Sequence, residues 1–466
     1  WNAGRIFLLR PMELNMTTMP TPETMNRTAK LFMDRNEVAN YGEALAKLEG
    51  FRLAVVCGPE VLASAAHQCA LLTLVNAGRR TFLGGIYVEL PGDGPLLVPL
   101  AKAKSLAAAI VALGGKTGTA AADIPRIAIG TVGLAAMPPS WQVTWDGWRA
   151  GAIPFREGAR LQERGNLHLA PVLASALALS EAFQYFDGRP FAGKRAAGIS
   201  LWHPGGDWRD DDPSEPPLLY LPRNLWLLGL GNLGQAYLWM LGALPFPDGQ
   251  KPELVLQDFD VISAANDSTS VLSGEALIGS RKTRAMAAWS EGFGCKTSIV
   301  ERRFGASTKR TDDEPAIALC GFDNALARAA LEDAGFDLVV EAGLGSGPAA
   351  FMNFSLHTFP ASRKARDVWK QGSEAPNPTT APGRAYAGML ERGVLDACGL
   401  AMLASRSVGV PFVSLTAAAF VIAELLRRLH GGVACEVLAG SLLDLVSFEA
   451  VEQKAGLFPA AYATLS

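Results

Sequence analysis

The sequence predicts an α/β protein made of two units, each a sheet of parallel strands covered by helices. Short apolar runs that end in glycine-containing turns alternate with helical stretches in both halves of the chain, and this alternation is typical of parallel sheets covered on both faces. Near the end of each half lies an alanine-rich helix that carries a glutamate, at 174–181 and 417–424, which indicates a divergent internal repeat. Two unrelated alanine-rich helices could also share this composition.

The predicted boundaries follow from changes in composition along the chain. An acidic, proline-rich stretch at 207–217 indicates a linker. Residues 1–35 form a lead-in segment rich in Met, Thr and Pro, which we expect to be loosely structured. The first unit then covers 36–206 and the second covers 218–466, with a long polar loop at about 358–398.

Individual elements are expected where apolar runs have the length of a strand or a helix. In the first half these are a strand at 52–58, a helix after it through Leu74, and a strand at 126–130. In the second half they are strands at 224–230, 254–257, 316–320 and 338–340, and a helix at about 234–244.

Length and composition limit the classes of protein to which this chain could belong. With 466 residues, 49% of them hydrophobic and 19% charged, the chain can bury sizeable cores. Its net charge of -3 gives no electrostatic reason to expect nucleic acid or an anionic membrane as a partner. An uncharged stretch at 407–423 approaches the length of a membrane span, but Pro411 interrupts it and Glu424 follows it, which favours a core helix. Six cysteines without any C-x-x-C pair argue against disulfides or structural zinc and predict a cytoplasmic location.

A glycine-rich turn follows the predicted strand at 224–230. Gly229, Gly231 and Gly234 are spaced as G-x-G-x-x-G, with Asn232 inside the turn, and a helix begins there. Glycines at these positions let the backbone approach phosphate groups, which the helix N-terminus then holds. The turn therefore predicts a Rossmann-like nucleotide site, although some such turns serve only tight packing.

Charged residues downstream extend this site. Asp258 and Asp260 follow the second strand, where one acid is expected for a ribose contact. Further along lie Asn266, Arg281 and Lys282. A nicotinamide enzyme has no need of Lys282, whereas nucleotide transfer needs a cation because negative charge grows on the triphosphate as pyrophosphate leaves. Taken singly, the two acids could be N-cap or turn residues, and Lys282 could be a solvated charge.

Asp323 and Asn324 follow the predicted strand at 316–320. An aspartate at the carboxyl edge of a parallel sheet can hold Mg²⁺ against phosphates, although both residues could instead cap a helix. The ordered set as a whole predicts binding of ATP and Mg²⁺.

This set of residues resembles the ThiF-type adenylation fold that ubiquitin-activating enzymes share with sulfur-carrier adenylyltransferases. The residues that carry the resemblance, within about 220–430, are Gly229, Gly231, Gly234, Asp258, Asp260, Asn266, Gly279, Lys282, Asp323, Asn324 and Arg328. The resemblance implies that Asp258 holds the ribose, Lys282 the phosphates and Asp323 a Mg²⁺ ion. It also implies that Asp260 and Asn266 complete the nucleotide site.

Two departures from the family pattern bear on activity. The family places an arginine and a glutamine three residues after the asparagine, where this chain has Thr269 and Ser270. Arg281, Arg284, or an arginine from the first half or from a second subunit would have to neutralise the triphosphate instead. The sulfur-carrier enzymes often carry two C-x-x-C pairs, and their absence favours the protein-conjugating branch.

In that branch an inactive adenylation domain can precede an active one within a single chain. The first half lacks the glycine pattern and the acidic residues of the second. We therefore expect two ThiF-type domains in one chain, the first of them degenerate and unable to bind nucleotide.

A conjugating activator passes the adenylated carboxyl group to its own cysteine as a thioester. Cys398 follows the long loop and leads into the last apolar helix. This placement resembles the autophagy- and UFM-type activating enzymes, in which the cysteine lies in the crossover loop. Cys398 could also be a small buried hydrophobe. Cys295 is a weaker candidate, and Cys320 and Cys435 belong to predicted strands.

The sequence therefore predicts an ATP-dependent enzyme that adenylates a ubiquitin-like protein, forms a thioester on Cys398 and delivers the carrier to a conjugating enzyme. The whole-chain pattern resembles the activating enzymes of bacterial ubiquitin-like conjugation operons linked to phage defence. Rival hypotheses are a sulfur-carrier adenylyltransferase without a thioester step, an NAD-dependent oxidoreductase and a non-catalytic scaffold. Whether a homodimer forms is left open.

Overall fold

The computed structural model describes residues 20–133, 139–155, 160–369, 383–391, 397–454 and 456–465. The helices of the first half are α1 (Ala29–Asp34), α2 (Tyr41–Glu49), α3 (Ala65–Gly78), α4 (Leu106–Ala112) and α5 (Leu169–Phe186). Its strands are β1 (Arg52–Cys57), β2 (Gly85–Glu89), β3 (Lys116–Thr117), β4 (Arg126–Ile129), β5 (Ser140–Asp146), β6 (Arg149–Pro154) and β7 (Ala197–Ser200).

The second half has ten strands and eight helices within the described ranges. Its strands are β8 (Tyr220–Pro222), β9 (Asn224–Leu228), β10 (Glu253–Gln257), β11 (Lys296–Val300), β12 (Ile317–Cys320), β13 (Leu338–Leu344), β14 (Asn353–Phe359), β15 (Ala434–Ser441), β16 (Asp444–Gln453) and β17 (Tyr462–Thr464). Its helices are α6 (Asn232–Ala243), α7 (Lys282–Glu291), α8 (Ala325–Ala329), α9 (Gly347–Ala350), α10 (Ala365–Val368), α11 (Arg384–Glu391), α12 (Ala397–Ala404) and α13 (Pro411–Leu429). Each strand and helix expected from the sequence is confirmed, and β13 continues beyond its expected range.

The two halves form sheets with the same strand order. The seven-stranded sheet has the order β3-β2-β1-β4-β5-β6-β7, and the eight-stranded sheet has the order β11-β10-β9-β12-β13-β14-β15-β16. In both sheets the strands are parallel up to the fifth position and antiparallel beyond it. The shared order is what an internal repeat predicts. The expectation of wholly parallel sheets is wrong.

A tight connection explains the first antiparallel pair of the seven-stranded sheet, β5 with β6. Gly147 joins β5 to β6 with φ +56, and Asp146 pairs with Arg149 across this hairpin. Glycine adopts a positive φ readily, and an Asp-Gly pair between strands is a strong hairpin signal. A two-residue loop can only return the chain antiparallel, because a parallel strand needs a crossover of a dozen or more residues.

The two halves share one core. α5 packs on β5 and β6, α13 packs on β13 and β14, and the two helices contact each other. A single hydrophobic cluster contains residues of both halves. By length and composition α5 could cross a membrane, but 89% of its apolar window is buried inside the protein. The stretch at 407–423 forms most of the buried α13, which confirms the expected core helix.

The glutamates of the two alanine-rich helices have similar surroundings. Glu181 in α5 is buried and pairs with Arg195 at 2.7 Å. Glu424 in α13 is buried and pairs with Arg427, and with Arg428 at 2.8 Å. Each half thus places an arginine-paired carboxylate in its core.

Residues 20–35, the described part of the lead-in segment, are ordered. α1 buries Leu31 and Phe32 among its apolar side chains, and Thr28 Oγ1 donates a hydrogen bond to Gly409 O at 3.1 Å. The expectation of a loosely structured lead-in is wrong for this part, because apolar residues such as Met25, Leu31 and Phe32 pack into the core.

The acidic segment 207–217 packs against the first half. The indole of Trp208 lies within 2.4 Å of where a Cβ at Gly151 would be and within 2.0 Å of where one at Gly198 would be. Glu215 accepts a hydrogen bond from Trp148 N at 2.9 Å. Glycines in β6 and β7 thus leave the space that buries this tryptophan.

Removing the Glu424 carboxylate should destabilise the fold strongly. Glu424→Ala leaves the Arg427 guanidinium, which is 0% exposed, without its carboxylate, at an expected cost of about 3–5 kcal/mol. Urea unfolding of the full chain measures this change. Glu49→Ala, at an exposed position in α2, should change the free energy of unfolding by less than about 0.5 kcal/mol. Equal losses in both variants would contradict the role of Glu424.

Candidate nucleotide site

Three neighbouring strands end at the same level at one edge of the eight-stranded sheet. Leu228 at the end of β9 lies in register with Gln257 of β10 and with Cys320 of β12. The next residues of the chain, Gly229 and Asp258 among them, therefore emerge side by side. The strand order reverses between β9 and β12, and ligands of open α/β sheets bind in the crevice at such a point.

The turn after β9 requires glycine at two positions. Gly229 adopts φ +83, and an added Cβ would lie 3.2 Å from Phe322 N. An added Cβ at Gly234 would lie 2.0 Å from Gly229 O. A Cβ at Gly231, by contrast, would meet none of the described atoms within 4 Å, so the backbone there borders open space that a ligand could enter.

α6 begins inside this turn without a side-chain cap. Gly231 is its N-cap residue and offers no side-chain hydrogen bond. The side-chain oxygen of Asn232 is buried and has no partner among the described residues. An uncapped helix start favours anions, since its N–H groups and the helix dipole both attract negative charge. The backbone N–H groups at this helix start therefore fit the phosphates of a nucleotide, whereas the Asn232 oxygen, an acceptor, does not.

Asp258, Asp260 and Lys282 form one connected group beside the turn. Asp258 accepts hydrogen bonds from Leu230 N at 2.7 Å and from Asp260 N at 2.8 Å. Lys282 Nζ donates to Asp260 Oδ2 at 3.1 Å, and the lysine side chain is only 10% exposed. The interpretation of Lys282 as a solvated charge is therefore wrong.

Asp323 lies on the loop after β12, next to the glycine turn. Its neighbour Phe322 adjoins Gly229. The Asp323 carboxylate is exposed, and within the described part of the chain it forms no hydrogen bond or ion pair. The described ranges contain no group of three His, Cys, Asp or Glu side chains that could hold a metal. A Mg²⁺ ion at Asp323 would therefore take its further ligands from water and phosphate oxygens.

Two of the predicted nucleotide residues use their side-chain oxygens in local caps. Asn324 Oδ1 accepts a hydrogen bond from Ala327 N at 2.9 Å and caps α8. Asn266 Oδ1 accepts from Ser263 N at 2.9 Å at the start of the 3-10 turn Ala264–Ser268. The cap interpretation thus holds for Asn324, and each asparagine has only its amide N–H groups left to offer a ligand.

Both arginines that lie near Lys282 in sequence are already paired. Arg281 donates to Phe259 O. Arg284 forms hydrogen bonds with both carboxylate oxygens of Glu301, at 2.9 and 3.1 Å, and these bonds raise the pKa of Arg284. Either arginine would have to break such contacts to reach a triphosphate.

Arg27, in the lead-in segment, contacts the 3-10 turn Ala264–Ser268 that contains Asn266, and nothing in the sequence pattern predicts this contact. Its backbone N–H donates to Ser268 Oγ at 3.0 Å, and its Cβ adjoins Gly409, which also approaches Thr269. Its guanidinium Nη1 is buried without a partner in the described structure. Burial and the neighbouring Arg406 lower the pKa of Arg27 to about 10. This contact joins residues 241 positions apart, so no local pattern could reveal it.

Arg328 supports the loop that carries Asp323. It donates to Phe322 O at 2.8 Å and to Ala342 O at 3.2 Å. Glu341, fully buried in β13, lies 3.4 Å from Arg328 Nε and 2.8 Å from His357 Nδ1. A single glutamate within an otherwise apolar strand is the sequence signal that could have revealed this buried cluster.

Cys398 belongs to α12, but its side chain lies outside the described part of the structure. The cysteines whose side chains are described are buried and unbridged, and they are Cys57, Cys69, Cys295, Cys320 and Cys435. Burial raises the pKa of Cys295 and of Cys320 to about 12, which disfavours the thiolate that a nucleophile requires. Cys295 is thereby weakened as an alternative to Cys398.

The fold and this site together define an α/β protein with a Rossmann-like glycine turn at the carboxyl edge of its eight-stranded sheet. Residues 52–201 match the family described as the BilD N-terminal domain, and residues 221–432 match the BilD C-terminal domain. A curated relative, the bacterial E1-like protein BilD of Collimonas sp. (strain OK412), is 49% identical over 439 residues, which cover 94% of this chain and 95% of that protein. The chain therefore belongs to the BilD family.

Similar solved structures include MccB of E. coli with ATP, which overlaps 51% of this chain and 65% of its own chain, at 14% identity and a TM-score of 0.34. PaaA overlaps 50% of this chain and 64% of its own chain, at 13% identity and a TM-score of 0.32. This chain thus spans about two thirds of either structure. Overlaps at this level carry no information about its activity.

Gly231→Ala should weaken ATP binding without unfolding the protein. The added methyl group meets open space in the free chain but would occupy the room that the phosphates need, so the Kd for ATP should rise by about tenfold or more, which corresponds to about 1.4 kcal/mol. Calorimetric titration with ATP measures the affinity, and thermal unfolding checks the fold. Gly305→Ala, whose Cβ also meets open space, is the matched control. Unchanged affinity for ATP in the Gly231 variant would contradict the hypothesis that this turn binds the phosphates.

Proposed function

We propose that this chain activates a ubiquitin-like protein. It uses ATP to adenylate the carrier's C-terminal carboxylate, and it then holds the carrier as a thioester on Cys398 for a conjugating enzyme. The observation that carries the proposal is the group of Asp258, Asp260 and Lys282 beside an uncapped helix start. Membership of a family that includes a protein named as bacterial and E1-like supports the same activity.

The first step joins the two substrates, ATP and the carrier. N–H groups at the start of α6 hold the phosphates, Asp258 holds the ribose, and Lys282 moves from Asp260 to the triphosphate. A carboxylate oxygen of the carrier attacks the α-phosphorus. The bond from this phosphorus to the bridging oxygen breaks, and its electron pair leaves with pyrophosphate. The buried charge of Lys282 stabilises the negative charge that develops.

Two further residues help to neutralise the triphosphate. Asp323 would hold Mg²⁺ together with phosphate oxygens, and a bound Mg²⁺ supplies positive charge there. Arg27 takes the part of the arginine that Thr269 replaces, because its guanidinium has a buried nitrogen without a partner in the described structure. An anion would also relieve the repulsion between Arg27 and Arg406 that lowers the pKa of Arg27.

The second step moves the carrier from AMP to the enzyme. The Cys398 thiolate attacks the acyl carbon, the carbon–oxygen bond to the phosphate breaks, and AMP leaves with the electron pair. A cysteine of the conjugating enzyme then takes the acyl group by the same exchange. We place the protein in the cytoplasm, because a reducing compartment keeps such a thiol free.

The first half is a degenerate copy in this proposal. Gly58 follows β1 as Gly229 follows β9, but an added Cβ at Gly58 would lie 2.4 Å from Glu60 Oε2. The Glu60 carboxylate accepts a hydrogen bond from Thr131 N at 3.0 Å. A carboxylate fixed there would repel phosphate. Since α5 and α13 join the two halves within one chain, the proposal does not depend on a homodimer.

Two variants separate the two chemical steps. Cys398→Ala should keep carrier-dependent ATP–pyrophosphate exchange and lose the enzyme–carrier adduct that thiols cleave, whereas Asp323→Ala should lose both. Isotope exchange measures the first activity, and non-reducing electrophoresis detects the enzyme–carrier adduct. Cys295→Ala is the control and should retain both. An adduct that persists in the Cys398 variant would exclude this nucleophile, and the lack of any adduct in the unmodified enzyme would favour a sulfur-carrier adenylyltransferase.

Arg27→Gln should slow the exchange reaction by about 10²-fold or more, since a cation on a transferring phosphoryl group is worth that much or more in related chemistry. Arg52→Gln, at an exposed position of β1, should leave the rate unchanged. Initial rates at saturating ATP and carrier make the comparison. A normal rate in the Arg27 variant would contradict this role and would favour Arg281 or Arg284 as the residue that neutralises the triphosphate.

A further inference from the structure

The end of α3, in the first half, reaches the second half beside the nucleotide site. Arg79 forms hydrogen bonds with both carboxylate oxygens of Asp267, at 2.7 and 3.1 Å. Arg80 donates to Ser273 O at 2.7 Å and to Ser270 O at 3.2 Å. All of these acceptors lie on one short segment of the second half.

The buried Arg80 guanidinium binds that segment, residues 267–273, through hydrogen bonds. The side chain of Arg80 is 1% exposed, and the Asp267 carboxylate is 3.9 Å from it. Burial and the neighbouring Arg79 lower the pKa of Arg80 to about 9. A buried charged group is costly unless its donors are bonded, and here backbone carbonyls accept them. Releasing either carbonyl would leave a buried donor unpaired, so the segment is held firmly.

Gln235, in the first turn of α6, connects this segment to the glycine turn. Leu272 N donates to Gln235 Oε1 at 2.9 Å. Gln235 Nε2 donates to Ser273 Oγ at 3.0 Å and to Leu230 O at 3.1 Å. A continuous set of hydrogen bonds therefore leads from Arg80, through Ser273 and Gln235, to the backbone proposed to hold the phosphates.

Further contacts fix α6 itself to the first half. Trp239 Nε1 donates to Thr73 Oγ1 of α3 at 3.0 Å, and His168 Nδ1 lies 2.7 Å from Ala243 O at the end of α6. Helix α3 and the two arginines that follow it thus contact both the segment 267–273 and α6, whose start is proposed to hold the phosphates.

We propose that Arg80 is a positioning residue for the nucleotide site, through which the first half fixes the phosphate-binding backbone of the second half. This inference rests on the proposed function, because it requires that the site binds ATP. Arg79 has a smaller part, since its ion pair with Asp267 is more exposed. The coupling is reciprocal, so nucleotide bound in the second half must also stabilise the contact with α3.

Arg80→Gln tests this in the full chain. The Kd and KM for ATP should rise about tenfold while kcat of the exchange reaction falls by less, since the groups proposed to act on the triphosphate are intact. Arg80→Lys, which keeps the charge, should recover part of the affinity. Arg126→Gln is the matched control, because Arg126 also donates to two backbone carbonyls, at 3.2 and 3.5 Å, but within the first half. Its affinity for ATP should equal that of the unmodified enzyme.

Hydrogen exchange of the unmodified protein gives a second measurement that does not depend on how well a variant folds. A non-hydrolysable ATP analogue should slow exchange at residues 77–81 as well as at 267–273. Normal ATP affinity in Arg80→Gln, or protection confined to the second half, would overturn the positioning role and leave the proposed function standing. If the unmodified enzyme bound no ATP at all, the proposed function would fail first and this inference with it.

Discussion

The site depends on the register of three parallel strands. β10, β9 and β12 end at one level, so the turns that follow them meet above a single edge of the sheet. The glycine turn can pack against Phe322 only because Gly229 lacks a Cβ and adopts a positive φ. Asp258 then closes the arrangement by accepting the Leu230 N–H. A shift of any one strand would separate the acids, the lysine and the helix start together.

The sequence could predict those parts of this arrangement that follow from local pattern. The strands β9, β10, β12 and β13 and the glycine turn follow from short apolar runs and their turn residues. The choice of Asp258, Asp260 and Asp323 as site residues follows from their places after the carboxyl ends of strands. The β5–β6 hairpin had a readable signal in Asp146-Gly147, where the glycine adopts φ +56 in a tight turn. No such signal in the sequence indicates the role of Arg27, because its contact with Ser268 depends on how the lead-in segment packs on a distant part of the chain.

Competition between local and ligand contacts explains the asparagines. Asn and Asp side chains readily bond nearby backbone N–H groups, which is why they favour caps and turns. Asn266 and Asn324 are used in this way, whereas the Asp323 carboxylate forms no such bond within the described structure. Similar residues near strand ends therefore divide into those that bond the nearby backbone and Asp323, whose carboxylate makes no such bond in the described structure, and sequence spacing alone does not distinguish them.

Duplication of the fold explains how one half can support the other. α5 and α13 are buried on nearly all sides, and a helix that is apolar all round is stable only when other elements cover it. Each helix covers the other, so neither sheet keeps a complete core if the halves are separated. Arg80 and Arg79 add a directional contact to this apolar one, because hydrogen bonds fix the position of a backbone more sharply than burial does. In the proposed function, a first half that binds no nucleotide can therefore still determine the geometry of the second half.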